Sequence, residues 1–228
     1  MSRPKSSGTQ LRLDLVQDSS HDLQAFVVSN SNRSAVEALE TWPNWPGGRL
    51  ALVGPAGSGK THLARAWAER VGAVISSDPN GTERTAGAAP ILMEDADRRA
   101  SDEVLFHAFN RADVGTTVLL TGRRQPSNWR VKLPDLRSRL NALTVARIES
   151  PDDDVLLGVL DKLFRERNIK PTATVPGYII RRIERSVPAA REIVAQIDQY
   201  AGEERREVTL AIARQILGRE VETLNEFG

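Results

Sequence analysis

Gly54-Pro55-Ala56-Gly57-Ser58-Gly59-Lys60-Thr61 fits the spacing G-x-x-x-x-G-K-[ST] at every fixed position, and no other feature constrains the chain as tightly. Glycines at these places let successive backbone N–H groups turn inward onto phosphate oxygens. Lys60 brings a cation to the outer phosphates, and Thr61 offers a hydroxyl to Mg²⁺. Such a loop needs a strand before it and a helix after it. Arg49–Val53 reads as a short buried strand, and His62–Val71 as a helix with apolar residues three and four apart. The sequence therefore predicts a nucleoside triphosphate site.

The chain has 228 residues, 40% of them hydrophobic, enough for one ordinary domain and a smaller second one. With 31 basic against 30 acidic residues, the net charge of +1 argues against a protein that wraps nucleic acid, so contact with DNA is expected to be indirect. The absence of cysteine excludes disulfides and thiolate-bound zinc. His21, His62 and His107 lack metal-ligand spacing. The only metal expected is Mg²⁺ arriving with the nucleotide, next to Thr61 and Glu94. Neither a membrane-spanning apolar run nor a secretory leader is apparent, and a bacterial cytoplasmic location is the expectation, without membrane contact.

Residues 1–20 are polar and predict a flexible arm, in which Gln10-Leu11-Arg12-Leu13-Asp14-Leu15 alternates leucine with polar residues as an extended segment presenting one face would. An amphipathic pattern from Asp22 to Glu40 leads into the Pro- and Gly-rich turn Trp42–Gly48. Further strands are expected at Ala73–Ser76, at Pro90–Asp97 (apolar and ending in acids), Thr116–Leu120 and Leu143–Ile148, with a loop from Asp78 to Ala89 and a helix opening at Ser101. Strands alternating with helices imply an α/β domain over residues 21–150: a five-stranded parallel sheet with helices on both faces and ligands at the carboxyl ends of the strands. From Ser150-Pro151-Asp152 onward no strand pattern survives, and residues 151–228 are expected to form a small helical lid.

Glu94 and Asp95 end a buried strand downstream of the phosphate loop, where a nucleotidase needs one carboxylate near Mg²⁺ and another to orient water. Arginine serves phosphoryl transfer because its planar fork meets developing phosphate charge. By position, Arg139 closes a short helix beginning near Leu133, and Arg191 lies early in a helix of the lid.

In order and spacing, these segments resemble the AAA+ family in its DnaA branch, and within it the DnaA-related regulators of the Hda type, from about Asp22 to Leu217. The resemblance rests on Phe26-Val27-Val28 with Ser31-Asn32, on the phosphate loop with His62-Leu63, and on the Glu94-Asp95 strand. It extends through Leu120-Thr121-Gly122-Arg123, Leu133–Leu136 with Ser138-Arg139-Leu140, and Ala190-Arg191-Glu192. It implies that Val27, Val28, Asn32 and His62 flank the adenine side of bound ADP or ATP, with ADP favoured. It also implies that Arg139, with Arg137 as the neighbouring alternative, is a finger acting on another subunit's ATP, and that Arg191 senses the nucleotide. Gln10, Leu11, Leu13 and Leu15 resemble the peptide that docks such proteins on the DNA polymerase III sliding clamp.

The implied function is regulation of replication initiation, with hydrolysis of ATP bound to a DnaA initiator as the output and a homodimer left open. Arg123 stands where a polar or acidic residue is usual, which predicts weak or no hydrolysis by the chain itself. The rival expectation is a self-hydrolysing motor of the helicase-loader or clamp-loader type. No DNA-recognition helix-turn-helix is expected after the lid.

Overall fold

β1 (Arg49–Val53) is buried along four of its five residues and lies inside the sheet with a strand on either side, which explains the apolar run Leu50–Val53. In the computed structural model, which describes residues 26–76, 89–201 and 207–225, it joins β2 (Val74–Ser76), β3 (Ile91–Met93), β4 (Val118–Gly122) and β5 (Val145–Arg147). All pairings are parallel, in the order β2-β3-β4-β1-β5. The expected five-stranded parallel sheet is present. The peptide Gln10–Leu15 and residues 78–88 of the expected loop lie outside the described residues.

Alternation along the strands divides the core. Leu50 and Leu52 of β1, Leu92 of β3 and Leu119 of β4 face α1 (Arg33–Glu40) and α2 (Lys60–Val71), where Trp45 stacks on Trp67 with ring centroids 5.1 Å apart. Ile91 and Met93 of β3 with Val118 and Leu120 of β4 face α4 (Asp102–Asp113) and α5 (Pro134–Asn141). A single turn, α3 (Ala96–Arg99), follows β3. A separate apolar cluster joins α6 (Asp153–Glu166), α7 (Thr174–Ile179), α8 (Val187–Ala201) and α9 (Leu210–Asn225).

Within the amphipathic pattern read from Asp22, the described residues, from Phe26 on, are helical only from Arg33. Upstream, short polar side chains take over the backbone: Ser29 N–H donates to Asn32 Oδ1 at 2.9 Å, and Asn32 Nδ2 donates to the Val27 carbonyl at 2.9 Å. Ser and Asn groups of this kind offer the chain an alternative to helix. Strand β4 begins two residues later than expected and ends at Gly122.

The helical unit is tied to the sheet unit at Asp152. Its Oδ1 accepts the Val155 N–H at 3.0 Å, capping α6, and its Oδ2 accepts the Ser31 N–H at 3.3 Å. Burial pushes this carboxyl up, but hydrogen bonds from Ser29, the Val155 N–H and Ser31 outweigh it and hold the group below the ordinary carboxylate range. A depressed carboxyl contributes stability that is fully present above its unfolded value and is lost as pH falls through the folded one. Asp152→Ala should therefore cost about 1–2 kcal/mol at neutral pH, the worth of a helix cap. Thermal unfolding should show the gap to wild type closing on acidification, and a gap constant with pH would refute the assignment.

Candidate functional site

The phosphate loop sits at the carboxyl end of β1, as an open parallel sheet places it. Gly57 (φ +73°) and Gly59 (φ +96°) are left-handed, so the chain can curl back and start α2. Pro55, Ala56 and Ser58 complete the curl between them. The N–H groups of Gly59, Lys60 and Thr61 have no backbone acceptor among the described residues, as expected of a helix start that faces an anion. Ser58 Oγ is buried without a hydrogen-bond partner. Lys60 is only 7% exposed, and its Nζ donates to the Pro55 carbonyl at 2.7 Å. Burial lowers the Lys60 pKa first of all; Asp95 and Asp97 raise it, while Arg123 and Arg98 lower it. These features fit a polyphosphate: unpaired donors, an orphaned hydroxyl and a desolvated ammonium.

Around the loop, Phe26 stacks on His62 with ring centroids 5.7 Å apart and lies 3.5 Å from where a Cβ on Gly59 would stand. Val27 packs on α6 so closely that a Cβ on Gly158 would come within 2.6 Å of it, while Val28 is half exposed. Asn32 is buried and uses its amide to shape the 27–32 turn, which gives it a structural duty at the place where the sequence suggested a nucleotide neighbour. From the helical unit, the Val187 N–H donates to the Gly57 carbonyl at 3.0 Å. Arg191 is one turn further along α8 and exposed. The start of α8 thus rests directly on the phosphate loop.

The acids after β3 are already occupied. Both Glu94 oxygens accept from Arg65, at 2.8 Å in the shortest contact. Asp95, in left-handed backbone (φ +51°), pairs with Arg98 at 2.8 Å, and its N–H donates to the buried Thr121 hydroxyl at 2.9 Å. Asp97 Oδ2 accepts the Arg123 N–H at 3.0 Å, and its Oδ1 is buried without a partner. Thr61 is exposed, and its hydroxyl is the side-chain donor open to a phosphate-bound cation. Asp97 was given no role in the sequence, and Thr121 entered only as part of the segment Leu120–Arg123. The strand-then-acid pattern drew attention to Glu94 and Asp95, although Leu120-Thr121-Gly122 ends the neighbouring strand one register away.

Arg139 lies elsewhere. It pairs with Asp113 at 2.8 Å and Asp135 at 2.7 Å, with its guanidinium 5.6 Å from the Phe106 ring. Asp113 also pairs with Arg49, the first residue of β1. This fixes Arg139 at the amino end of β1, whereas the phosphate loop follows its carboxyl end, about 13 Å away at roughly 3.3 Å per residue. Arg137 donates instead to the carbonyls of Ser127, Trp129 and Val131, at 3.3, 2.8 and 2.9 Å, stapling the loop before α5. Asp102 Oδ2 accepts the N–H groups of Lys132 and Leu133 at 2.6 and 3.0 Å, fixing where α5 begins.

Comparison with known proteins returns the same architecture. Domain III of the Thermotoga maritima replication initiation protein DnaA superposes with a TM-score of 0.72 at 19% identity, covering 87% of this chain and 96% of that one. The fold is that of an AAA+ P-loop domain. AMPPCP-bound DnaA from Aquifex aeolicus gives 0.65 at 21% identity, covering 81% of this chain and 66% of that one. A T. maritima RuvB variant gives 0.68 at 14% identity, covering 87% and 71%. An uncharacterised protein of Haemophilus influenzae is 26% identical over 192 residues, spanning 73% of this chain and 80% of its own. No family model matches the sequence. The AAA+ likeness at these identities is one of fold. No helix among the described residues is long and apolar enough to cross a membrane.

Proposed function

We propose that this chain is a DnaA-related regulator of replication initiation of the Hda type: it binds adenine nucleotide, docks on the sliding clamp through Gln10–Leu15, and stimulates hydrolysis of ATP held by a DnaA initiator. The observation that carries the reading is the position of Arg139. It lies at the amino end of β1, away from its own phosphate loop, with a side chain 27% exposed and held by Asp113 and Asp135, so it can meet a γ-phosphate only on another subunit and only by leaving those partners. The chain's own hydrolysis is disfavoured because Glu94 and Asp95 are each neutralised by an arginine and neither is free to orient water.

In this mechanism the nucleotide bound at Gly54–Thr61 acts as a wedge. It sets the distance between the phosphate loop and the start of α8, and Arg191 reads that distance. Clamp tethering raises local concentration into roughly the millimolar range, so a weak pairwise contact suffices. The direct test mixes the protein with ATP-loaded initiator and clamp on DNA and follows conversion to ADP. Acceleration that requires all three components supports the reading, and initiator ATP decaying at its intrinsic rate overturns it. The docking step has a separate check: Gln10→Ala with Leu13→Ala should abolish capture by immobilised clamp while leaving nucleotide affinity unchanged, and retained capture would remove the peptide from the model. The self-hydrolysing motor would instead show turnover by the chain alone, lost in Asp95→Ala.

A further inference from the structure

We propose that Arg98 and Arg123 take the place of a magnesium ion in this site, so that nucleotide binds with an affinity that does not depend on divalent cation. The inference rests on the reading of Gly54–Thr61 as a nucleotide site and adds how the phosphate charge is met.

An ordinary phosphate loop needs Mg²⁺ because one lysine and a few N–H dipoles leave most of the polyphosphate charge uncompensated. The ion is held by a loop hydroxyl, by the phosphates and waters, and by one or two carboxylates. Here, among the described residues, Glu94 and Asp95 are each paired with an arginine, and Asp97 keeps one buried oxygen unpaired. Glu94 is held through both oxygens by Arg65, Asp95 is paired with Arg98, and Asp97 Oδ2 holds the Arg123 N–H. Asp97 Oδ1 is buried where the Trp129 ring crowds Gly122 against its carboxyl group: a Cβ on Gly122 would stand 2.9 Å from the ring and 3.3 Å from Asp97 Cγ. Magnesium would have to displace an arginine to gain a carboxylate, forfeiting charge-assisted hydrogen bonds. The Mg²⁺ expected beside Glu94 therefore meets, among the described residues, carboxylates already paired with arginine, apart from the buried Asp97 Oδ1.

Positive charge is in surplus at the same place. Arg123 directly follows Gly122, whose carbonyl accepts the Gly54 N–H at 3.2 Å, and Arg98 is held by Asp95, whose N–H meets Thr121 at the end of the same strand, so both lie within electrostatic reach of Lys60. Arg123 is exposed, its backbone is pinned by Asp97, and its guanidinium has no partner among the described residues. Arg98 is half exposed and, among the described residues, pairs with Asp95, an acid that itself lies within electrostatic reach of Lys60. Two guanidinium forks beside a buried ammonium supply the charge and the planar donor geometry that phosphate accepts bidentately. The residue that departs from the usual polar or acidic one at the end of β4 thereby acquires a role.

The test is titration of the full-length protein with ADP and ATP by calorimetry, at constant ionic strength, in excess MgCl₂ and in excess EDTA. Wild type should keep its Kd within about threefold between the two buffers. The double variant Arg98→Ala with Arg123→Ala should bind in MgCl₂ and lose about tenfold or more in EDTA, the scale of one lost charged hydrogen bond. Arg123→Ala alone, which removes an exposed side chain with no hydrogen bond or ion pair to a described residue, should show the same direction and guards against misfolding of the pair. A wild type that loses tenfold in EDTA overturns the proposal, and so does a double variant as indifferent to Mg²⁺ as wild type. Absence of binding in both buffers would instead remove the nucleotide reading beneath it.

Discussion

Arg139→Ala is expected to slow hydrolysis of initiator-bound ATP by about 10³-fold or more, the range over which an arginine supplied in trans acts on phosphoryl transfer. The protein's own nucleotide affinity should not move, because the side chain sits at the amino end of β1 and the phosphate loop at the carboxyl end. Folding should barely change: the pairs with Asp113 and Asp135 are partly exposed, and such pairs contribute about 0–1 kcal/mol each.

Two controls separate this role from a structural one. Asp135→Ala removes one tether and should leave stimulation intact or raise it, since the guanidinium then leaves the surface more easily. Arg137→Ala strips three backbone carbonyls of their donor, so it should lower stability by about 1.5–3 kcal/mol and reduce stimulation only as far as folded protein is lost. Single-turnover ATP decay, normalised to folded protein by thermal scan, reads all three. Arg139→Ala matching wild type removes the finger from the proposed mechanism.

What could be read in advance was whatever depends on short range. The strand, glycine turn and helix at residues 49–71 follow from local periodicity and backbone permissiveness, and the parallel sheet follows from strands alternating with helices. The helix before β1 was overextended because periodicity counts Phe26, Val27 and Val28 as a helical face. Hydrogen bonds of Ser29, Ser31 and Asn32 to their own backbone decide the matter, and they leave no periodic trace.

The site was less legible than the fold for a related reason. That Glu94 faces Arg65, 29 residues back, and that Arg139 shares Asp113 with Arg49, are outcomes of tertiary packing. In a chain with 31 basic and 30 acidic residues, composition gives no hint which charges will meet. The same pairings changed the chemistry inferred. A strand ending in two acids suggested a metal shell and a water-orienting base, whereas the arginines opposite them leave neither acid free.

Gly54→Ala should be the most destabilising single methyl that can be added to this site. A Cβ there would stand 2.2 Å from the Ile148 carbonyl oxygen, and that oxygen cannot yield independently, because the Ile148 N–H donates to the Val53 carbonyl at 2.8 Å. On the other side the Gly54 N–H donates to the Gly122 carbonyl at 3.2 Å, so the residue is locked between the ends of β4 and β5. Relief requires β5 or the whole phosphate loop to shift, at a cost of about 3 kcal/mol or more, and either shift misplaces the N–H groups that would meet phosphate.

The other loop glycines rank below it for reasons the geometry distinguishes. Gly57→Ala combines a left-handed backbone with a contact of 2.7 Å to Ser186 Cβ, so it should cost somewhat less in stability but loosen the start of α8 from the loop. Gly59→Ala meets only the edge of the Phe26 ring at 3.5 Å, and Gly72→Ala, at the end of α2, meets nothing. Both should cost only the left-handed strain of about 1–2 kcal/mol. Denaturant unfolding of the four variants with a parallel nucleotide titration checks the order. Gly54→Ala as mild as Gly72→Ala would mean that the close approach of β1 to Ile148 does not constrain the loop.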